Sequence, residues 1–373
     1  MLEIGTVSSM RKKRIDFLDG CRGIAILWVV LYHAYVKWPD HVPYGDQFAN
    51  IPGLRQGFLG VHLFFMISGF VILMTLEKCK NFLEFITRRW LRLFPAMLVA
   101  TILIFATAPL FPERPEGVVR LRDVVPGLIF IEPTWIHTNM LDISFWSLFV
   151  EVKYYFIFGT MYFILGTKRA ITGLFILFCI WVIAASVVQF SSTPPAFFVL
   201  LANVTKAEGL SFNEFGWFAA GSLAYSYFTS KNRRYLFLGA VTGVIAASTV
   251  ALTSSAISRP AFIIPVFFLA AVYFEGLEKF LANKFLIFIG FISYPLYLIH
   301  NNIMIALTVK MGKHFTFIPV GLLPLIPILV LVLVSYLIAK ILEPAIRKRL
   351  NSYLVSPLTK YFQSKDKLIT PQV

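Results

Sequence analysis

One arginine and one histidine, set eleven residues apart in an apolar segment, have the types and spacing for joint chemistry. Arg22 lies at the charged start of this segment and His33 lies near its end. In an α-helix, eleven residues make almost three turns and roughly 16 Å of rise, so both side chains lie on one face. Arg22 would bind an anion at a membrane surface, and His33 would act as a base about half a bilayer deeper.

The composition places these residues in a membrane protein. Hydrophobic residues make up 58% of the chain and charged residues only 14%, which is too apolar for a soluble domain of this length. The net charge of +15 is distributed among the apolar runs rather than gathered in a patch. We therefore interpret it as a topology signal and expect no nucleic-acid partner. The three cysteines are scattered and suggest neither a disulfide framework nor a metal cluster.

The hydropathy pattern predicts an all-α polytopic membrane protein with about ten transmembrane helices. The apolar runs lie near residues 23–36, 58–76, 91–110, 145–165, 170–190, 212–228, 236–252, 261–274, 285–307 and 318–342. Lysine and arginine concentrate in alternate connections, which predicts that both termini are cytoplasmic. We expect a cytoplasmic segment 1–13, a transmembrane domain 14–345 and a cytoplasmic tail 346–373. The first run lacks a small-residue cleavage site, so no cleavable signal peptide is expected.

A pair of arginines begins the third apolar run. Arg89 and Arg92 stand at i and i+3, on one helical face at the predicted cytoplasmic end. Two guanidinium groups presented together suit a phosphate or pyrophosphate. The same pair would also serve as an anchor for lipid headgroups.

A polar stripe crosses the fourth apolar run. Ser147, Glu151 and Tyr155 fall at i, i+4 and i+8, on one face of the helix. Glu151 would lie about two turns into the membrane, where a carboxylate would fix the tautomer of His33 and raise its basicity. Alternatively, Glu151 would pair with Lys153 or an arginine and hold helices together.

Two further histidines lie in apolar runs. His300 shares a helical face with Tyr297, and His62 begins the second run. Ionisable groups inside a membrane are costly, so both are candidates for a central polar site, although a packing histidine needs only one hydrogen-bond partner. In the same run as His62, the small residues Ser68 and Gly69 indicate close helix approach more plainly than chemistry.

Five segments together resemble the acyltransferase-3 family of integral membrane acyltransferases, which includes O-antigen, exopolysaccharide and Nod-factor O-acetyltransferases of bacteria. The segments are FLDGCRGIAILWVVLYHAY, FLGVHLFFMISGF, FITRRWLRLFPA, SFWSLFVEVKYYF and ISYPLYLIH. They occur in the family's order, and the resemblance covers about residues 14–345.

This resemblance implies a multi-pass protein of the bacterial inner membrane, with cytoplasmic acyl-CoA, commonly acetyl-CoA, as the donor and no metal. It also implies an acceptor hydroxyl on a carbohydrate or glycolipid at the outer face. The positions that match the family's motifs are Arg22, His33, Arg89, Arg92 and Glu151. Many members carry an acid where this chain has His62. We expect no C-terminal esterase-like domain, so the membrane domain itself would transfer the acyl group.

The resulting hypothesis is O-acyl transfer, most simply O-acetyl transfer, across the bilayer. The three arginines would hold the phosphates of CoA, and neutral His33 would act as general base or form a transient acyl-histidine. Glu151 or Asp19 would orient the catalytic groups. The alternative is a transporter that exports an anionic lipid or sugar through the same polar seam.

Overall fold

The computed structural model describes residues 3–253 and 260–355, which form helices joined by short turns and one long outer loop. No β-strand occurs within these ranges, so the predicted all-α class is confirmed. The helices are α1 (Glu3–Tyr32), α2 (Gly60–Leu76), α3 (Phe82–Thr107), α4 (Val125–Ile129), α5 (Trp146–Leu165), α6 (Thr167–Phe190), α7 (Ala196–Thr205), α8 (Phe215–Ser230), α9 (Arg233–Thr253), α10 (Ile263–Tyr273), α11 (Glu275–Leu281), α12 (Lys284–His314), α13 (Leu325–Leu337) and α14 (Glu343–Leu350).

Seven helical segments among the described residues are long and apolar enough to cross a membrane. An eighth span results if the bent pair Pro260–Tyr273 and Glu275–Leu281, which turns by 102°, crosses as one broken helix. The hydropathy pattern predicts about ten, and the difference lies between α6 and α12. Neither α8, which with the 3₁₀ turn before it covers residues 212–230, nor α9 is among the spans found in the described residues. Residues 215–225 are all buried, so α8 packs inside the bundle.

The long helices pack closely where glycine faces backbone. A Cβ at Gly290 of α12 would lie 1.9 Å from the carbonyl oxygen of Asp19, so α1 and α12 meet backbone to backbone. The helices α2 and α8 meet in the same way at Gly69 and Gly221. The predicted close approach at Gly69 is therefore present. α1 and α2 also meet backbone to backbone, since a Cβ at Gly60 would lie 2.5 Å from the carbonyl oxygen of Ala25. These crossings fix α1, α2 and α12 relative to one another, and these helices carry much of the polar site.

The outer loop between α3 and α5 contains short helical turns instead of one long element. Its apolar piece, residues 124–131, forms the end of a 3₁₀ turn and the five-residue α4. Asp142 ties this loop to α12, since its carboxylate accepts hydrogen bonds from the side chain of Asn302 at 2.7 Å and from Ser144 Oγ at 2.6 Å. The loop is thus fixed over the outer end of the helices.

The C-terminal helix α14 packs against the start of α3. Arg347 donates a hydrogen bond to the carbonyl oxygen of Leu91 at 3.0 Å and pairs with Glu343. The predicted boundary between residues 345 and 346 therefore falls inside a helix. The rest of the expected tail, after residue 355, lies outside the described residues.

Candidate active site

Three arginines from two helices meet in one cavity at the end of the bundle that is predicted to face the cytoplasm. We call it the inner cavity; it measures about 100 Å³. Its polar wall consists of Arg22, Ser68, Arg89, Arg92, Ser147, Glu151, Tyr155, Ser293, Tyr294 and Tyr297. The structure thus brings the arginine of α1 together with the arginine pair of α3 and with the polar stripe of α5.

Each arginine keeps some capacity for a ligand. Arg22 pairs with Asp19 at 2.6 Å. Arg89 donates to Thr75 Oγ1 at 3.0 Å, and its buried Nε has no partner. Arg92 pairs with Glu343 at 3.1 Å and remains 41% exposed. Asp19 and Glu343 each neutralise part of the positive charge. The three arginines therefore repel one another little when no phosphate is bound, and they can still bind one.

Glu151 belongs to the inner cavity and does not contact His33. Its carboxylate accepts a hydrogen bond from Ser68 Oγ at 2.6 Å, which joins α5 to α2. The alternative partner, Lys153, instead binds Glu132 at 2.8 Å and two backbone carbonyl oxygens. Ser68, which the sequence indicated only as a packing residue, is thus part of the polar site.

A second and larger cavity lies toward the predicted outer face. We call it the outer cavity; it measures about 420 Å³. Its polar and aromatic lining consists of Tyr32, His33, Lys37, Phe58, His62, Glu132, Ser144, Trp146, Glu208 and Tyr297. Two of the candidate histidines therefore face this cavity, and the outer loop supplies part of its wall.

His33 is held as a base by its own helix. It is the first residue of the π-helical turn His33–Lys37 that follows α1. Its Nδ1 lies 2.9 Å from the carbonyl oxygen of Val29, which can only accept, so Nδ1 carries the proton and donates. In the neutral ring the lone pair is then on Nε2. Neither Glu151 nor Asp19 has this orienting role in the structure, since a backbone carbonyl provides it.

The rings of His33 and His300 are in edge-to-face contact, with centroids 4.6 Å apart. His300 is fully buried, and its Nδ1 donates to the carbonyl oxygen of Tyr297 at 2.8 Å. Its Nε2 has no partner. Two imidazoles thus lie side by side, each oriented by a backbone carbonyl of its own helix.

His62 of α2 also lines the outer cavity. Its Nε2 lies 3.8 Å from a carboxylate oxygen of Glu214, beyond hydrogen-bond distance. Its ring packs against Trp217 with centroids 4.9 Å apart. The sequence analysis missed Glu214, because it begins an apolar run that carries no other ionisable residue.

The two cavities meet at a shared wall formed by Val61 and Tyr297, which line both. The hydroxyl groups of Tyr297 and Ser147 are 2.8 Å apart at this wall. His33 therefore faces the outer cavity and the arginines face the inner one, and Val61 and Tyr297 border both cavities.

A cluster beside His300 was also missed. Asn301 and Asn302 follow it directly in α12, are fully buried, and bind Asp142 of the outer loop. Three consecutive polar residues within an apolar helix are the signal that would have revealed this cluster.

The fold and these two cavities define a helical membrane protein with opposed polar chambers. The acyltransferase-3 family model, described as an acyltransferase domain, matches residues 15–343. The chain belongs to this family, as the resemblance of its five segments implied.

The O-acetyltransferase OatA of Staphylococcus aureus (strain NCTC 8325) is 28% identical over 158 residues, which are 38% of this chain and 23% of OatA. A provisionally named O-acetyltransferase of S. aureus (strain COL) is 28% identical over 171 residues, which are 41% of this chain and 26% of that protein. The chain therefore matches about a quarter of these relatives' length. No solved structure matches it.

Proposed function

We propose that this protein is an O-acetyltransferase that moves an acyl group from cytoplasmic acyl-CoA to a hydroxyl of a carbohydrate or glycolipid at the outer face. One observation carries the proposal. An arginine-lined cavity and a histidine-lined cavity approach each other from opposite ends of the bundle and share the wall formed by Val61 and Tyr297. A donor and an acceptor that enter from opposite sides would meet there.

The arginines of the inner cavity would bind the donor's phosphates. Guanidinium groups present several N–H donors in a fixed geometry that matches phosphate oxygens. The inner cavity, at about 100 Å³, has room for a narrow chain and not for a nucleotide. The nucleotide would thus lie at the mouth, where Arg92 is partly exposed, and the thioester arm would extend past Ser68 and Glu151.

His33 would act as the general base. Its Nε2 lone pair takes the proton of the acceptor hydroxyl while the hydroxyl oxygen attacks the thioester carbonyl carbon. The carbon–sulfur bond then breaks, and the CoA thiolate recovers the proton from His33. In a two-step route, Nε2 attacks the thioester carbonyl carbon and the CoA thiolate leaves; the acceptor oxygen then takes the acyl group from Nε2, and its proton goes to the thiolate. In both routes the hydrogen bond from Nδ1 to Val29 orients the ring.

The cellular setting follows from the same proposal. A multi-pass protein with a cytoplasmic donor and an envelope acceptor would lie in the bacterial inner membrane, in contact with its lipids. The alternation of basic loops supports cytoplasmic termini.

Replacing the histidine tests the proposal directly. In membrane vesicles supplied with acetyl-CoA and envelope glycan, the wild type should acetylate the glycan and release CoA, and His33→Ala should do neither at equal membrane abundance. His41→Ala, which alters an exposed histidine of the first outer loop, should retain activity. Acetylation by His33→Ala would remove this residue from the mechanism. Glycan transport without CoA release would favour the exporter hypothesis.

A further inference from the structure

The outer loop encloses a third polar cavity next to the outer cavity. We call it the side cavity; it measures about 300 Å³. Its polar lining comes from Arg114, Glu116, Asp123 and Asn139. Met140 and Ile143 line both the side cavity and the outer cavity, so only this stretch of loop separates the two.

The carboxylates of the side cavity already have donors. The oxygens of Asp123 accept hydrogen bonds from the backbone N–H groups of Arg120 at 3.0 Å and Asn139 at 3.3 Å. Those of Glu116 accept from the backbone N–H of Ile143 at 2.9 Å and from the side chain of Asn301. These acids therefore do not require a ligand.

Arg114 differs, because its donors outnumber its partners. The side chain is only 6% exposed, and Nη2 donates to the carbonyl oxygen of Leu141 at 3.1 Å. Its Nε and Nη1 are buried and have no hydrogen-bond partner among the described residues. Unpaired buried N–H groups are costly, so an acceptor beside this guanidinium would stabilise the site.

The charges around Arg114 indicate what that acceptor is. The carboxylate of Asp142 acts on its guanidinium, and the carboxylate of Asp123 also faces the cavity. Among the described residues, Arg114 is the one cation that lines the cavity. An additional anion would be repelled by these acids, whereas a neutral oxygen of a hydroxyl, ring ether or amide would accept from Arg114 without this penalty.

We propose that the side cavity is an acceptor subsite. It binds the sugar unit next to the one that is acylated, and Arg114 donates a hydrogen bond to a neutral oxygen of that sugar. This inference rests on the proposed function, which determines where the acylated sugar unit lies. A cavity of about 300 Å³ is at the lower limit for small-ligand sites and suits one sugar ring. The enzyme would then prefer acceptors with two or more sugar units over a single sugar.

Binding measurements without donor test the subsite separately from catalysis. The probes are fragments of one, and of two to four, sugar units from partial hydrolysis of the host's envelope glycan. The wild-type protein should bind the longer fragments about tenfold more tightly than the single sugar. Arg114→Gln should abolish this difference and leave the affinity for the single sugar unchanged.

Two other variants control for misfolding and for general charge effects. Val119→Trp fills the side cavity without altering the polar cluster and should have the same effect as Arg114→Gln. Arg120→Gln changes an exposed arginine next to the cavity and should retain the preference. Equal affinity for short and long fragments in the wild type, or a preference that survives both cavity variants, would overturn the subsite. If the preference is present but acetyl transfer is absent, the subsite stands and the proposed function fails.

Discussion

Arg89 has the strongest structural case for donor binding among the three arginines. Arg22 and Arg92 each have a carboxylate partner, whereas the partners of Arg89 are the hydroxyl of Thr75 and the ring of Tyr155. Its buried Nε is unpaired among the described residues, so this half-buried guanidinium retains a donor for a ligand anion. We therefore expect donor affinity to depend on this residue more than on its neighbours.

Arg89→Gln should raise the KM for acetyl-CoA about tenfold or more, because it removes a charged hydrogen bond to phosphate. The KM for the acceptor should not change. The neighbouring arginine offers a matched control, since Arg88 points outward and pairs with Glu84 at 2.6 Å. Arg88→Gln should retain wild-type kinetics. Initial rates measured at varied acetyl-CoA concentration test this prediction. A change confined to the KM for the acceptor would contradict the role of Arg89 in donor binding.

Spacing along single helices was enough to find most individual candidates. The sequence indicated Arg22 and His33 on α1 and the pair Arg89 and Arg92 on α3, and the structure places the arginines in one cavity. Partners across helices were not predictable, because they depend on how each helix is rotated. The pairing of Arg92 with Glu343 and the bond from Ser68 to Glu151 are examples.

Helix packing positions the site through α1 and α12. The π-helical turn that continues α1 carries His33, and α12 carries the adjacent His300. These helices meet where Gly290 faces the backbone of Asp19. The contact lies near Arg22, so a change in helix separation there would alter the inner cavity as well as the histidine pair.

Gly290→Ala should destabilise the protein by about 1–3 kcal/mol, since the new Cβ would lie 1.9 Å from a backbone oxygen and force the helices apart. Thermal unfolding in detergent should show a lower Tm. Gly276→Ala is the matched control, because nothing lies within 4 Å of a Cβ at that helical position. An unaltered Tm for Gly290→Ala would show that α1 and α12 adjust freely at this crossing.

Hydropathy predicted the class of the elements better than their number. The first five and the last two apolar runs correspond to spanning helices, whereas the run near 212–228 forms a 3₁₀ turn and the buried helix α8. A helix that is apolar on all sides looks the same in sequence whether lipid or protein surrounds it. Hydropathy alone therefore does not determine the number of spans.

Glu116 of the outer loop makes the stability of the whole molecule depend on pH. Burial and the neighbouring Asp142 carboxylate raise the pKa of Glu116 to about 8. In the unfolded chain the pKa of this carboxyl is about 4.3. Between these values the folded state keeps a proton that the unfolded state has lost, so the free energy of unfolding decreases as pH rises and levels off above about 8.

Thermal unfolding between about pH 5 and about pH 9 should therefore show a Tm that declines across this window. Glu116→Gln, which stays neutral and keeps an oxygen acceptor, should flatten part of the decline. If the variant and the wild type lose stability in parallel, other groups are responsible for the pH dependence.

Because the inner and outer cavities share one wall, we expect that a substitution at this wall can impair acyl transfer without impairing donor binding. Val61 is 6% exposed and lines both cavities, so a larger side chain there would fill the junction. Val61→Phe should reduce acetyl transfer at least about tenfold, because the reacting atoms can no longer approach to bonding distance. CoA binding, measured by equilibrium dialysis, should change little since the three arginines are untouched.

Val330→Phe, on an exposed face of α13, should affect neither measurement. Normal transfer by Val61→Phe would mean that the acyl group takes another route, and loss of CoA binding would mean that the donor already extends to this wall.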